Sequence, residues 1–217
     1  MTFYTDPQRK LQDQFQTRPL ADAVAAATVV DELDDNHINF IQSRDFFFLS
    51  TVNAAGEPTV SHKGGDIGTV HVVDGNTLVF PAYDGNGMFL SLGNIVDTAK
   101  IGLLFMDFET PNRIRVQASA TLVTEPKWLK VYPGAVAVVR VHVDKVFVNC
   151  ARYIHKHTRT TASPYVPDQQ GQQPVPKWKR IKEMQDFLPP DERAKVSGAG
   201  GTITRDEYGV ALQNGNS

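Results

Sequence analysis

"RIRVQASATL", Arg113–Leu122, is the stretch whose alternation decides the fold. Ile114, Val116, Ala118 and Ala120 fall on one face of an extended chain. Arg113, Arg115, Gln117, Ser119 and Thr121 fall on the other. Successive side chains point to opposite faces of a strand. A period of two therefore predicts a half-buried β-strand here.

The same pattern extends outward. In Val139–Val143, valines alternate with Arg140 and His142. The phase slips at Asp144-Lys145, after which Val146 and Val148 are apolar, so a bulge or bend is expected. Phe46–Val52 reads as a strand, Asn53–Glu57 as a turn, and Pro58–His62 as the returning strand. Ile67–Val73 predicts another strand, Asp74-Gly75 is a hairpin signal, and Thr77–Phe80 pairs back. Ile101–Phe108 is a further apolar run.

Helices interrupt the strands. Met88, Leu92, Ile95, Val96 and Ala99 recur at helical spacing, with Asp84 and Asn86 where an N-cap belongs. His37–Arg44 predicts a short helix and Lys127–Tyr132 about one turn, stopped by Pro133-Gly134. Lys177–Leu188 predicts a late helix stopped by Pro189-Pro190. Leu20–Val30 is alanine-rich but broken by Asp22 and preceded by Asp6 and Asp13. That predicts an amphipathic N-terminal helix, not a signal peptide. Thr160–Pro176 reads as an irregular arm and Ser197–Ser217 as a mobile tail. Many strands with hairpin-length connections predict a closed or nearly closed β-barrel with flanking helices.

Composition narrows the class. The chain has 217 residues, 41% hydrophobic and 21% charged, enough for an ordinary globular core. A net charge of −2 gives no reason to expect a nucleic-acid partner. One cysteine, Cys150, precludes an intrachain disulfide and fits a reducing compartment. No apolar run approaches the roughly 20 residues that span a bilayer. The expectation is a cytoplasmic protein with no membrane partner.

The candidate site begins at "VSHKGGDIGTV", Val60–Val70. Lysine is a point charge suited to phosphate, and glycine lets backbone N–H groups approach a ligand. In "YDGNGMFLSLGN", Tyr83–Asn94, a glycine-rich loop opens a helix, whose N-terminus favours anions. Arg113 and Arg115 form a third basic set. Three anion-friendly elements on one barrel suggest a phosphorylated cofactor. Each has a plain structural reading too: a surface lysine, turn glycines at Gly85 and Gly87, a solvated strand face. No Walker loop is present. Gly85-Asn86-Gly87 also lacks the third glycine and parallel context of a dinucleotide fingerprint.

Taken in order, these elements resemble the pyridoxamine 5′-phosphate oxidase-like, FMN-binding split-barrel flavoproteins, and within them the predicted flavin-nucleotide-binding branch. The resemblance covers about residues 37–160. It is carried by "FFFLSTVNAAGEPTVSHKGG", "LVFPAYDGNGMFLSLGNI", "KIGLLFMDF", "RIRVQASATL" and "VFVNCARYIHKH". It implies a mainly β, antiparallel Greek-key barrel of roughly six strands. It further implies an FMN-dependent oxidoreductase acting on a small molecule, and a homodimer with the cofactor at its interface. The chain then divides into an N-terminal helical arm (1–36), the split-barrel domain (37–160) and a C-terminal arm with one helix and a tail (161–217).

Carried over by this resemblance, His62 and Lys63, with Gly64 beside them, match the strand-borne phosphate site. Phe80 and Pro81 match the strand end along the flavin. Asn86, Gly87 and Ser91 match the loop and first helical turns, and Arg115 matches a basic position from the neighbouring subunit. The oxidase proper has an adjacent Arg-Lys pair where this chain has Asn86-Gly87, so Lys63, Arg113 or Arg115 must compensate. The oxidase's vitamin B6 contacts are not evident, and Trp178 and Arg180 do not match them. Pyridoxamine phosphate is therefore not the expected substrate.

A flavin carries the redox chemistry itself, and the protein supplies binding and electrostatics. Lys63, Arg115 or backbone N–H groups could stabilise the reduced flavin. His62, His155 and Tyr153 are proton donors by type only, so no catalytic residue is assigned. "NCARYIHKH", Asn149–His157, invites a metal reading through Cys150, His155 and His157, but no second cysteine completes a zinc set. No metal is expected, the segment reads as a polar barrel rim, and Cys150 as a small buried hydrophobe. Two alternatives stay open: a reductase using the deazaflavin F420 on the same barrel, and a non-catalytic flavin- or heme-binding protein.

Overall fold

The computed structural model describes residues 3–216. The outer ends of the two expected arms, Met1, Thr2 and Ser217, lie outside them. The chain forms two compact units, Met1–Thr160 and Thr161–Ser217.

The first unit begins with α1 (Asp6–Gln14) and α2 (Arg18–Thr28), tied by Arg9–Asp22 at 2.6 Å and Arg18–Asp13 at 2.5 Å. There follow β1 (Val29–Val30), α3 (Asp35–Gln42), β2 (Phe46–Val52), β3 (Pro58–Gly64), β4 (His71–Asp74) and β5 (Thr77–Tyr83). Then come α4 (Leu90–Thr98), β6 (Lys100–Asp107), β7 (Asn112–Val123), α5 (Pro126–Leu129) and β8 (Ala135–Val148). The strands form one eight-stranded sheet in the order β3-β2-β6-β7-β8-β5-β4, with β1 pairing β8. Every pairing among them is antiparallel. Among the described residues the edge strands β3 and β4 do not pair with each other. The barrel is split, the open form of the closed or nearly closed barrel that the strand pattern predicted.

The alternation read in β7 is the packing pattern of the core. Ile114, Val116, Ala118 and Ala120 are buried, and they join Phe47, Leu49, Phe80, Leu103, Phe105, Val139, Val141 and Ile95 in one cluster. Burying each large aliphatic or aromatic side chain contributes about 1.5–3 kcal/mol. The phase slip in β8 is a bulge: Gln117 pairs Lys145 and Ala118 pairs Val143, leaving Asp144 unopposed. Its side chain turns out toward Lys100, 3.8 Å away. The middle of β5 is buried on both faces, because Tyr132 and Val138 pack on Val79 outside the barrel. The Tyr132 hydroxyl donates to the Val79 carbonyl at 3.0 Å.

Four local expectations are corrected. The strand expected over Ile67–Val73 is confined to His71–Asp74, because Gly65–Thr69 turns back on itself, with Thr69 N–H bonded to the Asp66 carbonyl at 2.9 Å. The helix expected from Met88 begins at Leu90; Asp84 and Asn86 do not cap it, and Met88 and Val96 are exposed. Residues 177–188 form two 3-10 helices, Lys177–Arg180 and Lys182–Phe187. Pro190 then starts α6 (Pro190–Gly198), because proline is tolerated at the first helical position.

The stretch expected to be a mobile tail contains α7 (Arg205–Gln213). Its first turn is capped reciprocally: Thr204 Oγ1 accepts from Glu207 N–H at 3.2 Å, and Thr204 N–H donates to Glu207 Oε2 at 2.7 Å. Within this second unit Ile181, Leu188 and Val196 are buried, and the buried Lys179 pairs with Glu192 at 2.8 Å. No helix among the described residues is long and apolar enough to cross a membrane.

Candidate functional site

The split leaves a cavity of about 350 Å³ between the edge strand β3, the end of β5 and the loop that opens α4. Strand alternation turns Thr59, Ser61 and Lys63 inward and Val60, His62 and Gly64 outward. The inward residues make a polar ladder against α4. Thr59 Oγ1 lies 2.8 Å from Thr51 Oγ1, and Asn94 Nδ2 donates to both, at 3.3 and 3.0 Å. One step along, the Ser61 and Ser91 hydroxyls share a hydrogen bond of 2.8 Å. Lys63 is the next rung.

Lys63 is half-buried and, among the described residues, has neither a carboxylate nor a hydrogen-bond partner. Desolvation holds its ammonium below the ordinary lysine value. A cation removed from water without a partner is costly, so the arrangement favours a ligand that brings an anion.

The second glycine of "HKGG" has a steric reason. A Cβ on Gly65 would lie 2.3 Å from Thr69 Oγ1, and Thr69 is buried in the cavity wall. Opposite, Asn86 Oδ1 accepts from Met88 N–H at 3.1 Å, and Gly87 takes a left-handed φ of 77°. Phe89, the residue preceding α4, is also left-handed at φ 51°, and no side chain caps the helix. A bulky residue in that region is strained by about 1–3 kcal/mol. The first N–H groups of α4 thus have no side-chain cap among the described residues, at the positive end of the helix dipole. Phe47, Pro81 and Tyr83 complete the walls. Burial, followed by the nearby Asp66 charge, raises the Tyr83 hydroxyl above its ordinary range, which keeps it a hydrogen-bond donor.

The residues singled out from the sequence fall into four groups. Lys63, Gly64, Pro81, Asn86, Gly87 and Ser91 line this cavity. His62 reaches its rim, but its ring stacks on Phe46, 5.5 Å away and 15° off parallel, on the outer face of the sheet. Phe80 does not reach the cavity; it is core, edge-on to Phe47 at 5.0 Å. Arg113 and Arg115 lie on the outer face of β7, which β2 and β6 separate from β3. The chain's own fold does not bring them to Lys63. Arg113 Nε and Asn149 Oδ1 are buried without partners among the described residues.

Asn149–His157 is irregular and not a strand, so His155 and His157 are not held on one strand face. Cys150 is exposed rather than buried, since β8 ends at Val148 before it can turn inward. Tyr153 is 88% exposed with a left-handed φ of 70°. Among the described residues, no three His, Cys, Asp or Glu side chains are grouped to hold a metal ion. Ser61, Phe47, Thr69 and Tyr83 were not anticipated. The period of two through Thr59, Ser61 and Lys63 marks Ser61; nothing local marks Thr69.

The chain is thus an open, split antiparallel barrel with a cationic cleft between its edge strand and a helix N-terminus. The family model for pyridoxamine 5′-phosphate oxidase matches residues 33–150, and the chain belongs to that family. Among solved structures, HupZ of Group A Streptococcus is similar at 20% identity and TM-score 0.45, covering 58% of this chain and 100% of its own. An FMN-binding protein of Syntrophomonas wolfei is similar at 11% identity and TM-score 0.40, covering 64% and 97%. HutZ, the heme storage protein of Vibrio cholerae, is similar at 16% identity and TM-score 0.37, covering 54% and 94%. No curated protein matches by sequence.

Proposed function

We propose that the chain is an FMN-dependent oxidoreductase that works as a homodimer, with the FMN phosphate held in the Lys63 cavity. The observation that carries this is Lys63 itself, a half-buried ammonium with no described partner beside a paired hydroxyl rung and an uncapped helix start. Those donors fit a phosphate. Lys63 supplies the charge, and the N–H groups and hydroxyls of the α4 start supply direction. They also replace the Arg-Lys pair that Asn86-Gly87 lacks. Bound FMN would supply hydride chemistry to a small-molecule substrate. Phe47 and Pro81 would exclude water from one side, and Tyr83 would offer a hydroxyl donor.

The dimer is supported by the outer face of the sheet. The register sets His62, Phe48, Leu104, Arg115 and Phe147 in one row across β3, β2, β6, β7 and β8. Phe48, Leu104 and Phe147 are only half-buried there. A second copy on this face would cover apolar surface and carry its Arg115 toward the first copy's cleft. Two-fold pairing is the commonest such arrangement.

Heat release of the cofactor followed by chromatography, with sedimentation of holo and apo protein, tests both parts. FMN released from a dimer is expected. FAD, F420 or heme instead, or a monomer holding stoichiometric FMN at micromolar concentration, would contradict the corresponding part.

A further inference from the structure

We propose that a second cavity, on the other face of β2 from Lys63, binds a planar aromatic molecule that is neutral or cationic. This does not rest on the flavin reading, because the two cavities share no lining residue. Phe47 faces the first and its neighbour Phe46 the second, as alternation along a strand requires.

The cavity measures about 410 Å³, within the range of about 300–1,000 Å³ typical of small-molecule sites. Its apolar wall is aromatic and aligned. The rings of Phe46 and Phe108 lie 5.8 Å apart and 6° from parallel. Met106 and Ile67 extend that wall. Parallel rings favour a flat π-system that continues the offset stack, and the Met106 thioether adds a polarizable contact.

Charge around the cavity selects the ligand's sign. Arg44 pairs with Asp107 at 3.0 Å, both largely buried, and Arg159 pairs with Asp45. Both guanidiniums are thereby matched. Glu109 is a third carboxylate whose described partner is a backbone group, the N–H of Arg159 at 3.4 Å. Counting Asp45, Asp107 and Glu109 against Arg44 and Arg159 leaves an excess of one negative charge. An anionic ligand is disfavoured, and an aromatic cation gains both Coulomb and cation–π attraction. The phosphate-seeking cleft around Lys63 has the opposite preference.

One wall is a strap. The irregular chain after β8 folds back so that His157 N–H donates to the Phe108 carbonyl at 3.2 Å. The His157 ring stands edge-on to Phe108 at 5.2 Å. With the Arg159–Asp45 ion pair and the Arg159–Glu109 bond, these contacts pin a segment that has no core of its own to bury. They add a second wall to the shelf beside the aromatic pair, making it a cleft.

The test uses the full chain, N-methylquinolinium as the probe, and NMR shifts of backbone amides as the readout. Saturable shifts are expected at residues 107–110 and 157–159. Phe108→Leu should weaken binding about tenfold and Lys63→Ala should leave it unchanged, while quinoline-2-carboxylate should bind at least about tenfold more weakly. Should Phe108→Leu fail to fold, Glu109→Gln at an exposed side chain should weaken the cation by about threefold and leave neutral quinoline unaffected. Shifts confined to the Lys63 cavity, insensitivity to both variants, or equal binding of the carboxylate would overturn the proposal.

Discussion

The hydroxyls of Ser61 and Ser91, 2.8 Å apart, join the edge strand β3 to the first turn of α4 beside Lys63. An edge strand lacks a ladder partner on one side, and side-chain bonds from its inner face to α4 brace this one. The bond therefore sets the width of the cleft as well as its chemistry.

Ser61→Ala should cost about 0.5–1.5 kcal/mol of stability, the net value of one hydrogen bond, because Ser91 is left buried without its described side-chain partner. Chemical denaturation measures this. FMN affinity should fall in the same variant if the rung positions the phosphate donors, and unchanged affinity would confine Ser61 to a structural role.

Gly65→Ala and Gly64→Ala should differ sharply. The added methyl at Gly65 meets Thr69 Oγ1 at 2.3 Å and Thr69 Cβ at 2.7 Å, both on a buried residue. Overpacking of that kind costs about 1–3 kcal/mol. At Gly64 the nearest atom, His62 Cε1 at 3.0 Å, is the end of an exposed side chain that can move. Thermal unfolding of the two variants decides it; equal stabilities would mean that the Gly65–Thr69 approach does not constrain the turn.

Lys63 gives the pH dependence a definite sign. Its folded-state value is depressed by burial below 10.5, so between the two values the unfolded chain holds the proton more tightly. Stability of the apo protein should rise with pH through that window and fall back as pH drops through the folded value. Comparing wild type with Lys63→Met from neutral pH up to 10.5 isolates this contribution. The difference should move in favour of wild type as pH increases. FMN affinity should move the other way, since the phosphate needs the ammonium form.

Thr204→Ala should loosen α7 and cost about 0.5–2 kcal/mol in the second unit. Hydrogen exchange over residues 205–213 should accelerate, while exchange in β7 should not.

Much of the barrel was legible because its signals are local and periodic. The alternation of β7 and the slip at Asp144 both report directly which side chains face the core, and the bulge falls where the slip does. The start of α4 was not legible, because it depends on a phenylalanine held left-handed rather than on a capping side chain. Nor was α7, whose capping box stands in a glycine-rich, polar stretch that composition reads as tail. At the site, Lys63 and the Asn86-Gly87 loop were readable from residue type. Thr69 was not, since its place in the wall follows from a close approach to Gly65 that no pattern encodes. Arg113 and Arg115 were grouped with Lys63 by charge alone, and the sheet order separates them within the chain.

The most direct test is a titration of apo protein with FMN and with riboflavin, in wild type and Lys63→Ala. A charge-assisted bond to phosphate contributes about 1.5–3 kcal/mol, so the FMN dissociation constant should rise about tenfold to a hundredfold in the variant. Riboflavin, which has no phosphate, should bind both proteins alike and more weakly than FMN binds wild type. Equal FMN affinity in the two proteins, or riboflavin binding as tightly as FMN, would contradict a phosphate site at Lys63.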